Sequence, residues 1–403
     1  MIYNLFRLFG AFVSLSLTIF VAAIYETDIS APFFISFSLI FLFATLLKFG
    51  LDDLVLQSSS GTVDSKTIFS WIKAILLFSI ILIFICIVFF MFIEPNNLDY
   101  LFVPLSIPLT IFYSLVGFYF QGRQHFIAAT FVSSILMPAT FILVSLIDVS
   151  NLKILPPLGI LLISCFVNCF ISCVLIFWLE PIESKNLMKG FHIYLLNQID
   201  WNQQFFLYLN SLIAVFSIHG IIVLANEYLN NSEIVQLNIM LRLCQASTVF
   251  ILVMNFTFAP KVRKLFLQKN ITGINNLYRK NVIFGITLSA LISVFFFFFL
   301  DFIDDVILTN ISVPKKEFWV LWSSFAINLA FGTIGYLYIM MNKAKFSSLI
   351  SLLVVMLMIV SFFIISPENL ICFIIIFALF NALARLILTV NWNVIGKNQI
   401  NRV

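Results

Sequence analysis

Apolar residues run through this chain in stretches of about twenty, and polar residues collect between them. A helix rises about 1.5 Å per residue, so such a stretch crosses the ~30 Å hydrocarbon core of a bilayer. Windows of this kind fall at 4–24, 31–56, 69–93, 101–120, 125–147, 156–179, 203–225, 233–259, 281–300, 318–341, 346–366 and 370–392, numbered below as spans 1 to 12. The longest links between them, 57–68, 180–202, 260–280 and 301–317, have no room for a soluble domain. In lipid a backbone must satisfy its own polar groups, so each window predicts a helix. The expected fold is an all-α integral membrane protein with twelve transmembrane helices.

Composition agrees with lipid as the main solvent. Of 403 residues, 62% are hydrophobic and 10% charged, against roughly 45–50% and 25% in soluble domains. The six cysteines all lie inside apolar runs; Cys165, Cys169 and Cys173 share one helix face without His or carboxylate neighbours, which reads as helix packing rather than a metal site. No Gly-rich phosphate loop is present, so this chain is not expected to use ATP. No cofactor and no nucleic-acid partner are expected. Arg7, an apolar stretch and Val21-Ala22-Ala23 imitate a signal peptide. The same segment counts as a full span, and the charge alternation requires it to stay.

Lysine and arginine mark the cytoplasmic side of a membrane protein. An N-terminus in the cytoplasm places Arg7, Lys66, Lys73, Arg123, Lys185, Lys189 and the basic residues of 261–280, 343–345 and 397–402 inside. Only Lys153, Lys315 and Lys316 then lie outside. The expectation is that both termini are cytoplasmic.

The chain also resembles itself. The link between spans 4 and 5, "QGRQHF" (121–126), and that between spans 10 and 11, "MNKAKF" (341–346), are each a basic hairpin ending in Phe and opening a long helix. Each is the fourth link of a six-span half, and the halves meet near Lys189. Two six-helix bundles, 1–188 and 189–403, are expected around a central cavity, as in many transporters.

A charge inside a span is costly and points to function by default. Asn238, Arg242 and Gln245 of span 8 fall on one helix face, with Arg242 about 14 Å from the outer end, near the midplane. They line a charged cavity or form a structural ion pair. Before and within span 7, Asn197, Asp200, Gln204 and Tyr208 share a face, either lying on the inner surface or forming the inward mouth of the cavity. Lys48, Asp52 and Asp53 close span 2 in "LKFGLDDLVLQ"; Lys48 and Asp52 can pair at i, i+4. They snorkel at the boundary, or they line a cytoplasmic portal with Gly50 permitting a bend. Arg385, with Asn381 and Thr389 on its face, admits the same two readings, and Arg7, with Gly10 and Ser14, marks the inner end of span 1. Pro104, Pro108 and Pro138 are expected to kink spans 4 and 5, and Asn328, Gly332 and Gly335 of span 10 to admit substrate or close packing. The interior is mildly cationic, which suits an anionic substrate.

These features resemble those of the Wzx-type polysaccharide flippases of the MOP (MATE-like) transporter superfamily. The stretches that carry the resemblance are "YETDISAPFFISFSLIFLFATLLKFGLDDLVLQ" (25–57), "NEYLNNSEIVQLNIMLRLCQASTVFILVMNFTFAPKVRKL" (226–265) and the hairpin pair. The resemblance implies a carrier in the bacterial inner membrane. It would flip undecaprenyl-pyrophosphate-linked oligosaccharide repeat units, for O-antigen, capsule or another glycan, to the outer leaflet by alternating access. It places Arg242 and the Lys48, Asp52 and Asp53 group where such carriers keep charged cavity residues. Membrane lipid, a proton or sodium ion and polysaccharide synthesis enzymes are the partners considered, with Asp200 as the coupling candidate.

A cation-coupled drug exporter of MATE type is the alternative, although residues 4–24 lack the early buried acid such exporters need. A membrane polymerase or ligase would need a larger outer loop than 301–316, and His125, His192 and His219 show no catalytic spacing. An enzyme is therefore not expected. A scaffold is the last alternative.

Overall fold

A computed structural model describes residues 2–59, 71–81, 84, 99–151, 155–179, 201–302, 312–341 and 343–400. All regular structure among them is helical. Eleven helices are long and apolar enough to cross a membrane, and Trp71–Ile81, in the expected span 3, is a shorter apolar helix. The chain is a multi-pass membrane protein.

Several boundaries differ from the hydropathy windows. The link 260–280 is not a loop. Helix Thr248–Leu267 runs into it, and helix Ile271–Phe302 starts within it. Its basic residues hid the helices from a hydropathy scan. The segment is amphipathic: Ile274 and Tyr278 are buried in a cluster with Phe258, Val262, Ile334, Tyr338 and Trp392, while Arg279 and Lys280 stay exposed. Span 2 contains a break. It stops at Lys48 and resumes at Leu51, with Phe49 and Gly50 at φ 50° and 72°. Glycine takes that conformation without steric cost, which is why the bend falls there. Spans 8 and 10 stay helical through Ser247 and Gly332. Span 4, by contrast, is one helix, Asp99–Gly122, through both Pro104 and Pro108.

The described chain divides into two compact units, one of 1–20 and 32–223, the other of 21–31 and 224–403. The single helix Thr27–Lys48 thus gives its first turn to the second unit and the rest, from Pro32, to the first. The expected division after 188 falls at 180–200, outside the described residues.

In the first unit, span 6 lays its cysteine face on span 4: Cys169 Sγ donates to Leu109 O at 3.2 Å, and Thr110 Oγ1 lies 3.9 Å from Cys165 Sγ. Span 5 widens into a π-helical turn, Phe131–Ile135, just ahead of Pro138. A proline ring clashes with the carbonyl four residues back, and the wider turn makes room for it. The buried Asn168 of span 6 donates through Nδ2 to Val132 O within that turn, at 3.0 Å. Gly10 of span 1 packs on the same turn, where an added Cβ would meet Ser134 at 3.1 Å. A second π-helical turn, Phe216–Gly220, interrupts span 7.

In the second unit, span 8 opens with a capping box: Asn230 accepts from Glu233 N, and Glu233 Oε2 accepts from Asn230 N at 3.1 Å. The other Glu233 oxygen accepts from Leu370 N, at the start of span 12, at 3.1 Å. Asn231 Nδ2 donates to Asp28 Oδ1 at 3.0 Å, which ties the 21–31 segment to this unit.

The two hairpins share a closure, but in a different register from the one read off the letters. His125 N donates to Phe120 O at 2.9 Å and Lys343 N to Tyr338 O at 2.8 Å, so His125 matches Lys343 rather than Lys345. Asn270 N donates to Leu265 O in the same way, at 2.9 Å. The closure is a Schellman helix end, shared by these three turns.

Candidate functional site

The polar residues inside the spans form three local arrangements, one in the first unit and two in the second. Lys48 and Asp52 make the first. Lys48 Nζ lies 2.7 Å from Asp52 Oδ2 and donates to Ser114 Oγ of span 4 at 3.0 Å. Both side chains are about nine-tenths buried, at 8% and 10% exposure, so Lys48 does not snorkel to water. The left-handed turn at Phe49 and Gly50 brings the two charges together, and Tyr208 of span 7 packs its ring 5.6 Å from Phe49. Asp52 Oδ1 is buried without a hydrogen bond. The side chains of Asp53 and Gln204, and all of Asn197 and Asp200, lie outside the described residues.

The second arrangement is the Arg242 group. Helix Asn231–Ala246 carries Asn238, Arg242 and Gln245 as its spacing predicts, and Arg242 Nη1 donates to Gln245 Oε1 at 3.3 Å. Asn238 is buried; Arg242 and Gln245 are half-buried. At Ser247 the backbone stays helical, with its N–H donating to Cys244 O at 3.2 Å. Ser247 Oγ also donates to Cys244 O, at 2.5 Å, and Thr248 Oγ1 to Gln245 O at 2.7 Å. Gln245 Nε2 is buried and without a hydrogen bond. Such a donor, buried beside a guanidinium inside a span, is open to a polar group from outside the chain.

The third arrangement runs along span 12. Asn381 Nδ2 donates to Ser324 Oγ at 3.1 Å, and Asn381 Oδ1 accepts from Asn328 Nδ2 at 2.9 Å. One turn on, Arg385 reaches across to span 10, where a Cβ on Gly335 would lie 2.9 Å from its Nη1. Its guanidinium is directed at that helix rather than along its own toward water. A further turn on, Thr389 Oγ1 donates to Arg385 O at 2.8 Å and lies 3.2 Å from Tyr278 Oη. Span 10 thus uses Asn328 and Gly335 toward span 12, while Gly332 packs against Ile251. The unpartnered buried oxygens of Asn328 and Thr333 lie on this same span. Arg7, half-buried three residues before Gly10, is near none of these groups along the chain.

Periodicity could not have shown His219. It is buried in the π-helical turn of span 7, with Nδ1 3.4 Å from Ser38 Oγ and its ring stacked on Phe41 at 5.0 Å. These contacts come from span 2, and the signal in the sequence is an imidazole within an apolar run. Among the described residues no group of His, Cys, Asp and Glu is arranged to hold a metal ion.

No protein-family model matches the chain, and no curated protein sequence does. Solved structures do. An inward-facing multidrug resistance MATE family transporter of the MOP superfamily superposes with a TM-score of 0.73, at 13% identity, over 99% of this chain and 98% of the other. The chain has a MATE-type fold. An outward-facing MATE transporter of the same superfamily gives a TM-score of 0.62 at 12% identity, over 99% of this chain and 94% of the other. A MOP superfamily transporter from Pyrococcus furiosus gives 0.65 at 11% identity, over 99% and 95%; its binding pocket is described as having reverse polarity, suggesting a different function. The MATE-type fold therefore spans the whole chain, while side-chain identity with these transporters is low throughout.

Proposed function

We propose that this chain is an alternating-access transporter of the bacterial inner membrane that moves undecaprenyl-pyrophosphate-linked oligosaccharide repeat units to the outer leaflet. It does so with twelve spans and both termini in the cytoplasm. The MATE-type fold, shared with structures in inward-facing and outward-facing states, supports alternating access.

One observation carries the anionic cargo. Spans 8 to 12 hold two guanidiniums well inside the membrane, Arg242 and Arg385, yet no Asp or Glu lies between Glu233 in the first turn of span 8 and Asp301. The remaining acids of the second unit, at 26, 28, 227, 304, 305, 317 and 368, also lie at span ends or in links. Arg242 stands beside Gln245, whose buried Nε2 is a donor without a hydrogen bond, so this face offers N–H donors to an anion. A pyrophosphate crossing the midplane needs such a group, because low dielectric makes an unpaired anion very unfavourable. Arginine stays charged there and offers a planar fork of donors to phosphate oxygens, with Gln245 beside it for sugar hydroxyls or phosphate.

A second reading, export of a drug or metabolite, is favoured by the multidrug MATE transporters among the similar structures. One experiment separates the two: Arg242→Ala and Arg242→Lys proteins in vesicles loaded with a lipid-pyrophosphate oligosaccharide, with a cationic dye as the second cargo. We expect Ala to lose most glycan flipping at normal protein level and Lys to retain part of it. Full glycan flipping by the Ala protein removes the anion role. Dye export without any glycan flipping by the native protein selects the exporter.

A further inference from the structure

The cationic groups give a place for cargo but leave the energy source unassigned. A buried imidazole stands apart from them. Of the three histidines, His125 sits in the hairpin after span 4, His192 is outside the described residues, and His219 lies within span 7. His219 is six residues from Ala225 at the outer end of its helix, or about 9 Å.

Its surroundings are built for two protonation states. Ser38 Oγ lies 3.4 Å from His219 Nδ1. A hydroxyl both donates and accepts, so it bonds a bare Nδ1 or a protonated one equally well. Phe41 lies parallel to the imidazole, 8° between planes and 5.0 Å between centroids, with Phe37 at 6.0 Å. An aromatic face stabilises a cation held over it, and more so out of water. Phe37, Ser38 and Phe41 all project from one stretch of span 2, and the π-helical turn Phe216–Gly220 carries the ring they hold. π-Turns inside helices are frequent at functional positions, since they survive only where something compensates the lost regularity.

Among the described residues, few charged groups lie close to the ring along the helices that carry its contacts; Glu227 follows eight residues on, past the end of span 7. Trp201–Ala225 contains no Asp, Glu, Lys or Arg. On span 2 the nearest charges are Asp28 and Lys48, each ten residues from Ser38, about 15 Å along the helix, and Lys48 is engaged by Asp52. Arg7, Asp52 and Lys73 belong to the cytoplasmic ends of spans 1 to 3, and Asp148 to the outer end of span 5. Among the described residues of the first unit, His219 is thus the one group in the outer half of the membrane interior whose ordinary titration falls near neutral pH.

We propose that His219 is a proton-binding site of this transporter, loaded from the outer side. In the neutral state Ser38 donates to Nδ1. On protonation Nδ1–H donates to Ser38 Oγ, and the new charge rests against the Phe41 face. Only an N–H bond forms and breaks, so the cycle needs no co-reactant beyond the proton. A full charge gained or lost in this setting shifts the balance between any two conformations that hydrate the ring differently, which is how a proton gradient can drive a carrier. This assignment holds for either cargo.

The test uses the full-length protein, labelled with nitrogen-15 histidine, in lipid nanodiscs, with ring-nitrogen NMR shifts followed from about pH 5 to pH 9. The His219 signal is identified by its loss in His219→Gln. We expect one reversible titration within that window, and a midpoint lowered by about half to one pH unit in Phe41→Leu, because losing the ring disfavours the charged form. A ring that keeps one state throughout, or a midpoint unmoved in Phe41→Leu, overturns the site. In vesicles, His219→Gln is expected to abolish the response of transport to an outside-acid gradient, whereas Asp200→Asn keeps it. A gradient response that survives His219→Gln overturns the coupling role. A native protein that titrates but flips no glycan counts against the cargo reading alone.

Discussion

Arg385 and Gly335 stand so close on facing helices that a Cβ at residue 335 would lie 2.9 Å from the guanidinium. The arginine uses the missing side chain as its seat. Its head belongs to a flexible side chain, so a small substituent displaces it without unfolding the protein. Gly335→Ala should therefore leave protein level unchanged and lower transport several-fold, and Gly335→Val should lower it further. Transport and protein level in the two variants check this. Native rates in Gly335→Val would show that Arg385 has no role where it sits.

Lys48 and Asp52 form a buried pair whose second carboxylate oxygen has no hydrogen bond. Removing one partner leaves the other charge uncompensated, at a cost of about 3–5 kcal/mol. Lys48→Met should lower the melting temperature in detergent sharply. Lys48→Met with Asp52→Leu should recover most of the loss, since an apolar pair of similar volume replaces a buried ion pair at little cost. A double variant as unstable as the single one would mean that the charges themselves are required.

Asn168 supplies a hydrogen bond to the widened turn of span 5, at Val132 O. Replacing it with leucine removes that bond between spans 5 and 6. We expect Asn168→Leu to destabilise the protein by about 1–2 kcal/mol, read as a lower melting temperature. Unchanged melting would indicate that the turn is held by Pro138 and the packing of Gly10 alone.

Orientation is checked by labelling single cysteines from outside intact cells. Residues introduced at Asn151 and Asn310 should react, and those at Ser184 and Asn270 should not. Reaction at either of the latter two would invert the charge-based topology.

Much of the fold was legible because lipid imposes one rule: the backbone must bond to itself, so every long apolar run is a helix. Hydropathy found the spans, and helix spacing alone set Arg242 beside Gln245. Lys48 and Asp52 also pair, but through the left-handed turn at Phe49 and Gly50 rather than along one helix. Hydropathy failed at 260–280, where amphipathic helices carry enough Lys and Arg to look like a loop. Pro104 and Pro108, expected as kinks, lie inside one helix, and the apolar pattern gave no sign of the π-helical turns in spans 5 and 7.

The contacts that give the candidate site its chemistry were not legible. His219 meets Ser38 across 181 residues of sequence, Asn328 meets Asn381 across 53, and Arg385 finds its seat on a different span. The sequence by itself determined which segments cross the membrane, which charges stay inside it and, through its lysines and arginines, the expected orientation. The tertiary structure decided which of those charges face a partner, because a periodic pattern fixes the face of one helix but not which neighbour that face meets. That choice depends on side-chain shape at the contact, such as the absent Cβ of Gly335 and the widened turn at Phe216–Gly220.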